Sequence, residues 1–102
     1  MPASAYGRLP LNALRVFEAV ATRLSFSDAA EALNVTPAAV SQQVKALEDY
    51  LQIPVLRRSG RKVELTPEGA KLLPAVQAGL DALVVALRET RMTRASGIIN
   101  VS

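Results

Sequence analysis

The stretch SDAAEALNVTPAAVSQQVKALEDYL, from Ser27 to Leu51, admits few arrangements besides two short helices joined by a tight turn. Ser27 and Asp28 are cap-type residues expected to open the first helix, and small Ala29 and Ala30 allow close helix–helix approach. Asn34 tolerates the left-handed backbone that ends a helix. Thr36 can then cap the second helix, with Pro37 at the first helical position, where a missing N–H is harmless. Val40, Val44, Leu47 and Leu51 recur at helical intervals and form one apolar stripe. Ser41, Gln42 and Lys45 lie off that stripe and face outward. Small and amide side chains in a first turn suit a helix that enters a DNA major groove, so the pattern is that of a helix-turn-helix. Alanine-rich helix pairs with Thr-Pro caps also occur in proteins that touch no nucleic acid, so the flanking sequence has to decide.

Downstream, Val55–Arg57 and Lys62–Leu65 read as two short strands around a Ser-Gly turn, a small β-hairpin. Arg57, Arg58, Arg61 and Lys62 fall within six residues without an intervening acid. Such a run is often only a solvated hairpin tip. Directly after a recognition-type helix it is better read as a wing, whose cations neutralise phosphates and can reach a narrow, electronegative minor groove.

A chain of 102 residues with 50% hydrophobic content supports one modest domain. Twelve Lys and Arg against nine Asp and Glu give a net charge of +3, and the clustering of those charges says more than their sum. Cysteine and histidine are both absent, which excludes disulfides, His- or Cys-based zinc sites, and imidazole or thiol catalysis. Glu18, Asp28, Glu31, Glu48 and Asp49 are expected as caps or on solvated helix faces, and no Gly-rich phosphate loop is present. An enzyme is therefore not expected. The start lacks a signal-type apolar run, and the longest unbroken apolar run, Ala82–Leu87, is too short to cross a bilayer. The expectation is a cytoplasmic chain with no membrane partner.

The fold class expected is mostly α, a winged helix-turn-helix followed by a long dimerisation (linker) helix. Residues 1–8 are expected to be disordered, 9–65 to form the winged domain, 66–95 the linker helix, and 96–102 a hinge leading into a truncated second domain. Within the winged domain a helix from about Leu11 to Arg23 would bury Leu14, Phe17, Ala21 and Leu24, with Asn12 as a possible cap and Phe26 plugging the core. Thr66-Pro67 repeats the Thr-Pro cap and opens the linker helix, in which Pro74 should produce a bend. Leu73, Val76, Leu80, Leu83 and Leu87 alternate spacings of three and four, a heptad seam. A helix of about 28 residues spans about 42 Å, more than a domain this size can cover. The distal seam therefore calls for a partner, most simply a second copy. Arg88, Arg91 and Arg94 near the helix end favour its dipole. After Gly97, the alternating Ile98–Val101 stretch reads as a strand.

Taken in order, these motifs resemble the N-terminal region of LysR-type transcriptional regulators, and the resemblance spans about Leu9 to Val101. The opening PLNALRVFEAVATRLSFSDAAEALNVT looks most like the glycine-cleavage-activator subgroup. The resemblance implies a homodimer, a tetramer in full-length members, binding double-stranded DNA at an interrupted palindrome, with a C-terminal effector domain that responds to a small-molecule co-inducer. No cofactor is implied for this segment. By position, the resemblance implies that Thr36, Pro37, Ala38, Ser41 and Gln42 meet bases and nearby phosphates. Ser27 and Lys45 would meet phosphates and Arg61 the minor groove. Position 37 is often Gln in the family; Pro37 cannot donate a hydrogen bond, and an apolar touch on a thymine methyl from Pro37 or Ala38 would replace it. The competing reading is a helical interaction and dimerisation module without specific DNA binding. An RNA-binding winged helix is disfavoured by the low aromatic content of 4%.

Overall fold

Phe17, Val20, Val40 and Leu47 are almost completely buried and mark where three helices converge. The computed structural model describes residues 6–60 and 62–96, with side chains through 93. Helix α1 (Leu11–Arg23) contributes Ala13, Val16, Phe17 and Val20 to this core. Helix α2 (Phe26–Leu33) presents Phe26, Ala29, Ala30 and Leu33, a helical i, i+3, i+4, i+7 face, to the same core. Helix α3 (Pro37–Leu51) buries Val40, Val44 and Leu47, while Leu51 sits at the exposed edge of the stripe. Strands β1 (Leu56–Ser59) and β2 (Lys62–Leu65) pair antiparallel, with Leu56 opposite Leu65 and Ser59 opposite Lys62. Gly60, at φ 63°, starts the connection between them, where a left-handed backbone favours glycine. Helix α4 (Pro67–Ser96) continues through Pro74 and carries Val76 into the core. The architecture is the mostly α, winged helix-turn-helix with a long following helix that the sequence predicts.

Several local expectations are corrected. The N-cap of α2 is Ser25, whose Oγ accepts from the Asp28 N–H at 3.0 Å; Ser27 and Asp28 are the second and third helical residues. Asn12 does not cap α1; Pro10 precedes the helix, and the Asn12 side-chain Oδ1 accepts two bonds from Arg15. Leu24 leaves the buried stripe because it ends α1 in the left-handed conformation, donating its N–H to the Val20 carbonyl, and its side chain is 50% exposed. Tyr6–Arg8, expected to be disordered, form a turn that accepts the Leu9 N–H at the Tyr6 carbonyl. Arg61, the hinge from Gly97 onward and the strand expected at Ile98–Val101 lie outside the described residues.

The apolar-run criterion also understates α4. Among the described residues, Pro67–Thr93 is long and apolar enough to span a membrane, with a mean hydropathy of 1.5 in its most apolar window. Isolated charges such as Lys71 and Asp81 break the run without lowering that average much. Length and composition alone are weak grounds for a span, and here Leu72, Leu73, Val76 and Leu80 dock on the winged domain.

The start of α4 is fixed by a buried cap. Thr66 is 1% exposed; its Oγ1 donates to the Pro54 carbonyl at 2.8 Å and accepts from the Gly69 N–H at 3.0 Å. Its own N–H donates to the Val55 carbonyl at 3.1 Å. Gly69 lies so close to Val55 that a Cβ there would overlap the Val55 carbonyl. Gly69→Ala is therefore expected to lower unfolding free energy by about 3 kcal/mol in urea titration, because backbone has to move. Gly79→Ala, in open space on the same helix, should be neutral or mildly stabilising.

Candidate nucleic-acid interface

The turn between α2 and α3 is held by backbone bonds. Asn34 adopts φ 59°, and the Val35 N–H reaches back to the Ala30 carbonyl at 3.0 Å, a Schellman-type closure. Thr36 then caps α3, its Oγ1 accepting from the Ala39 N–H at 3.1 Å, with Pro37 at the first position. Thr36, Pro37 and Ala38 are all exposed. Ala38, Ser41, Gln42 and Lys45 recur at i, i+3, i+4 and i+7 and so share one face of α3, opposite the core-facing valines. Gln42 and Lys45 are exposed and Ser41 is half-buried. Lys45 Nζ lies 3.6 Å from Asp49 on the next turn, an exposed pair worth only a few tenths of a kcal/mol. Ser27 is exposed in the first turn of α2.

The wing cations do not form a uniform set. Arg57 is exposed and stands opposite Glu64 in the strand register, so an acid does face the cationic run across the hairpin. Lys62 is exposed at the end of the hairpin. Arg58 turns back toward the helices: its guanidinium lies 4.0 Å from the Phe26 ring centroid and donates to Ser41 Oγ at 3.3 Å. The structure thus brings Ser41 and Arg58 into contact, pairs Lys45 with Asp49, and keeps Gln42, Lys45, Arg57, Arg58 and Lys62 all exposed.

Glu48 is not a solvated carboxylate. It is half-buried, and Oε2 accepts from the N–H groups of Val55 (2.9 Å) and Leu56 (3.2 Å), tying the end of α3 to the start of the wing. Its position one residue past buried Leu47, at the boundary of the apolar stripe, is the only sequence signal for this. Glu48→Ala should cost about 3 kcal/mol in stability, since it strands two N–H donors, one on a residue that is 1% exposed. Glu48→Gln retains an acceptor and should cost less; equal losses in thermal melts would refute the capping role.

The seam of α4 divides in two. Leu73, Val76 and Leu80 pack on the winged domain, while Leu83 and Leu87 are 49% and 65% exposed, beside equally exposed Val84 and Val85. An apolar groove of about 450 Å³ runs between the start of α1 and α4, lined by Leu11, Leu14, Leu80 and Leu83 among others.

An exposed face on a capped second helix, a cationic hairpin beside it and a long helix leaving the domain define a winged helix-turn-helix with a linker helix. The sequence pattern of the bacterial regulatory helix-turn-helix proteins of the lysR family matches residues 11–70, and the chain belongs to that family. It is 46% identical over 93 residues to the glycine cleavage system transcriptional activator of Escherichia coli strain K12, covering 91% of this chain and 30% of that protein. It is 45% identical over 95 residues to the HTH-type transcriptional activator AmpR of Providencia stuartii, covering 93% and 32%. Among solved structures, the BenM DBD in complex with catB site 1 DNA superposes with a TM-score of 0.77 at 32% identity, covering 82% of this chain and 93% of that one. The H2O2-bound C206S mutant of Corynebacterium glutamicum OxyR gives a TM-score of 0.70 at 38% identity, covering 85% and 26%. The chain spans about 30% of the length of the curated relatives it matches.

Proposed function

We propose that this chain reads double-stranded DNA for a transcriptional regulator, with α3 in the major groove and the β1–β2 hairpin along the adjacent minor groove. The observation that carries the reading is the shared outward face of α3, with Ala38, Gln42 and Lys45 exposed and Ser41 half-buried, beside a cationic hairpin. It is supported by the likeness to the BenM DBD in its complex with catB site 1 DNA. Thr36, Pro37 and Ala38 offer small and apolar contacts to bases, and Gln42 supplies the amide that pairs bidentately with an adenine edge. Ser27, Lys45, Arg57 and Lys62 hold phosphates, and Arg61, next after Gly60 in sequence, is the cation assigned to the minor groove. A cytoplasmic location follows from this role. The whole regulator would bind a small co-inducer outside this chain, as family membership suggests.

A salt titration of duplex binding tests the reading: a helical module that does not recognise DNA shows no salt-dependent affinity. Gln42→Ala should cost about 1–3 kcal/mol on a selected site and relax preference at one base position. Lys45→Ala should weaken all sequences about equally and reduce the salt slope by about one unit. A uniform loss for Gln42→Ala would show that α3 sits in a different register.

The second part of the reading is a homodimer through α4, on an interrupted palindrome. Its support is the uncovered distal seam. Because Leu80 packs on its own domain, the informative change is Leu83→Asp with Leu87→Asp, both exposed in the single chain. Light scattering should show the mass halved, with DNA affinity falling as the two half-sites lose effective concentration. An unchanged mass would exclude this face as the interface.

A further inference from the structure

Arg58 is exposed, yet its guanidinium is engaged on the helix side of the hairpin. Side chains alternate across a strand, so Arg58 shares the face of buried Leu56, and Arg57 and Ser59 point the other way. That face turns toward α2 and α3. The guanidinium stacks 4.0 Å over Phe26, itself packed on the core, and donates to Ser41 on α3 at 3.3 Å. Its cross-strand partner is Val63, which is 9% exposed, so the strand position carrying Arg58 is anchored from both sides. Two concavities, of about 190 and 300 Å³, lie on either side of this contact, and Arg58 and Phe26 line both. One opens toward Lys45 on α3 and the other toward Ser27 and Lys62. Arg58 with Phe26 therefore divides the space under the hairpin into an α3 side and an α2 side.

We infer that Arg58 is a positioning residue: a strut that sets the wing against α3 and orients the Ser41 hydroxyl, instead of a cation that holds a phosphate. The inference deepens the DNA-reading function and rests on it for its binding consequences. A planar guanidinium can stack on a ring while donating in its own plane, which an ammonium cannot do. Charge alone is then insufficient at this position. With the strut in place, the distance between the major-groove and minor-groove contacts is fixed before DNA is met.

The test compares Arg58→Lys, Arg58→Met and Arg57→Met on a duplex enriched from random DNA by the wild-type chain, across a range of salt concentrations. A strut predicts that Arg58→Lys and Arg58→Met both lose about tenfold in affinity with an unchanged salt slope, whereas Arg57→Met lowers the slope by about one unit. Wild-type affinity in Arg58→Lys, or a slope lowered by one unit in Arg58→Met, overturns the strut. In the free protein, amide exchange at Glu64, whose pairing with Arg57 lies next to the Arg58–Val63 pair, should quicken several-fold in Arg58→Lys and in Phe26→Leu, and unchanged exchange also overturns it. Failure of the wild-type chain to enrich any duplex would sink the DNA reading itself. The exchange measurement would still decide the strut.

Discussion

Three elements meet at Pro54 and Val55, and the placement of everything that could touch DNA depends on that junction. The Val55 N–H is taken by Glu48 from the end of α3 and its carbonyl by the Thr66 N–H from the start of α4. The Pro54 carbonyl is taken by the Thr66 hydroxyl. Val55 is 1% exposed, so its two polar groups would be expensive to leave unpaired; Glu48 closes α3 onto this junction, and Thr66 closes α4 onto it twice. Gly69 completes the junction by leaving room for the Val55 carbonyl. The recognition helix, the wing and the linker therefore share one hydrogen-bonded origin.

The two Thr-Pro caps show how one local motif serves two purposes. Thr36 and Thr66 each accept an N–H three residues on, at 3.1 and 3.0 Å. Thr66 is buried and spends its hydroxyl proton on Pro54. Thr36 is exposed, and among the described residues its hydroxyl only accepts, from the Ala39 N–H. The buried copy is structural; the exposed copy remains free to donate to a phosphate.

Local chemistry was legible in the sequence, and long-range polar contact was not. The Thr-Pro caps, Asn34 and Gly60 fixed α3, α4 and the hairpin to within a residue or two. The apolar stripe Val40–Val44–Leu47 named the buried face of α3. The cap of α2 was misplaced because Ser25 and Ser27 flank Phe26 and either can cap; only Ser25 puts Phe26, Ala29, Ala30 and Leu33 on one face. Glu48 with Val55, Thr66 with Pro54 and Arg58 with Ser41 join residues 7, 12 and 17 apart, and no periodicity encodes them. Arg58 illustrates the consequence: a run of four cations looks uniform in one dimension, yet strand alternation sends its members to opposite faces.

The same helix that completes the core also leaves it, and this constrains how two copies of the chain could present their reading heads. The first half of α4 is held by Leu72, Leu73, Val76 and Leu80, with Gln77 donating to Glu18 of α1 at 3.5 Å. Beyond Leu80 every described side chain is exposed. A helix of 30 residues is about 45 Å long, and without a flexible break it transmits the orientation of its first half to its last. Leu80 belongs both to the packed half and to the groove that Leu83 extends. A partner seated on the distal seam would therefore press on a residue that already fixes α4 to the winged domain. Leu80 thus joins the open half of α4 to the packed half, which leads back to Thr66 and the junction where α3 ends and the wing begins.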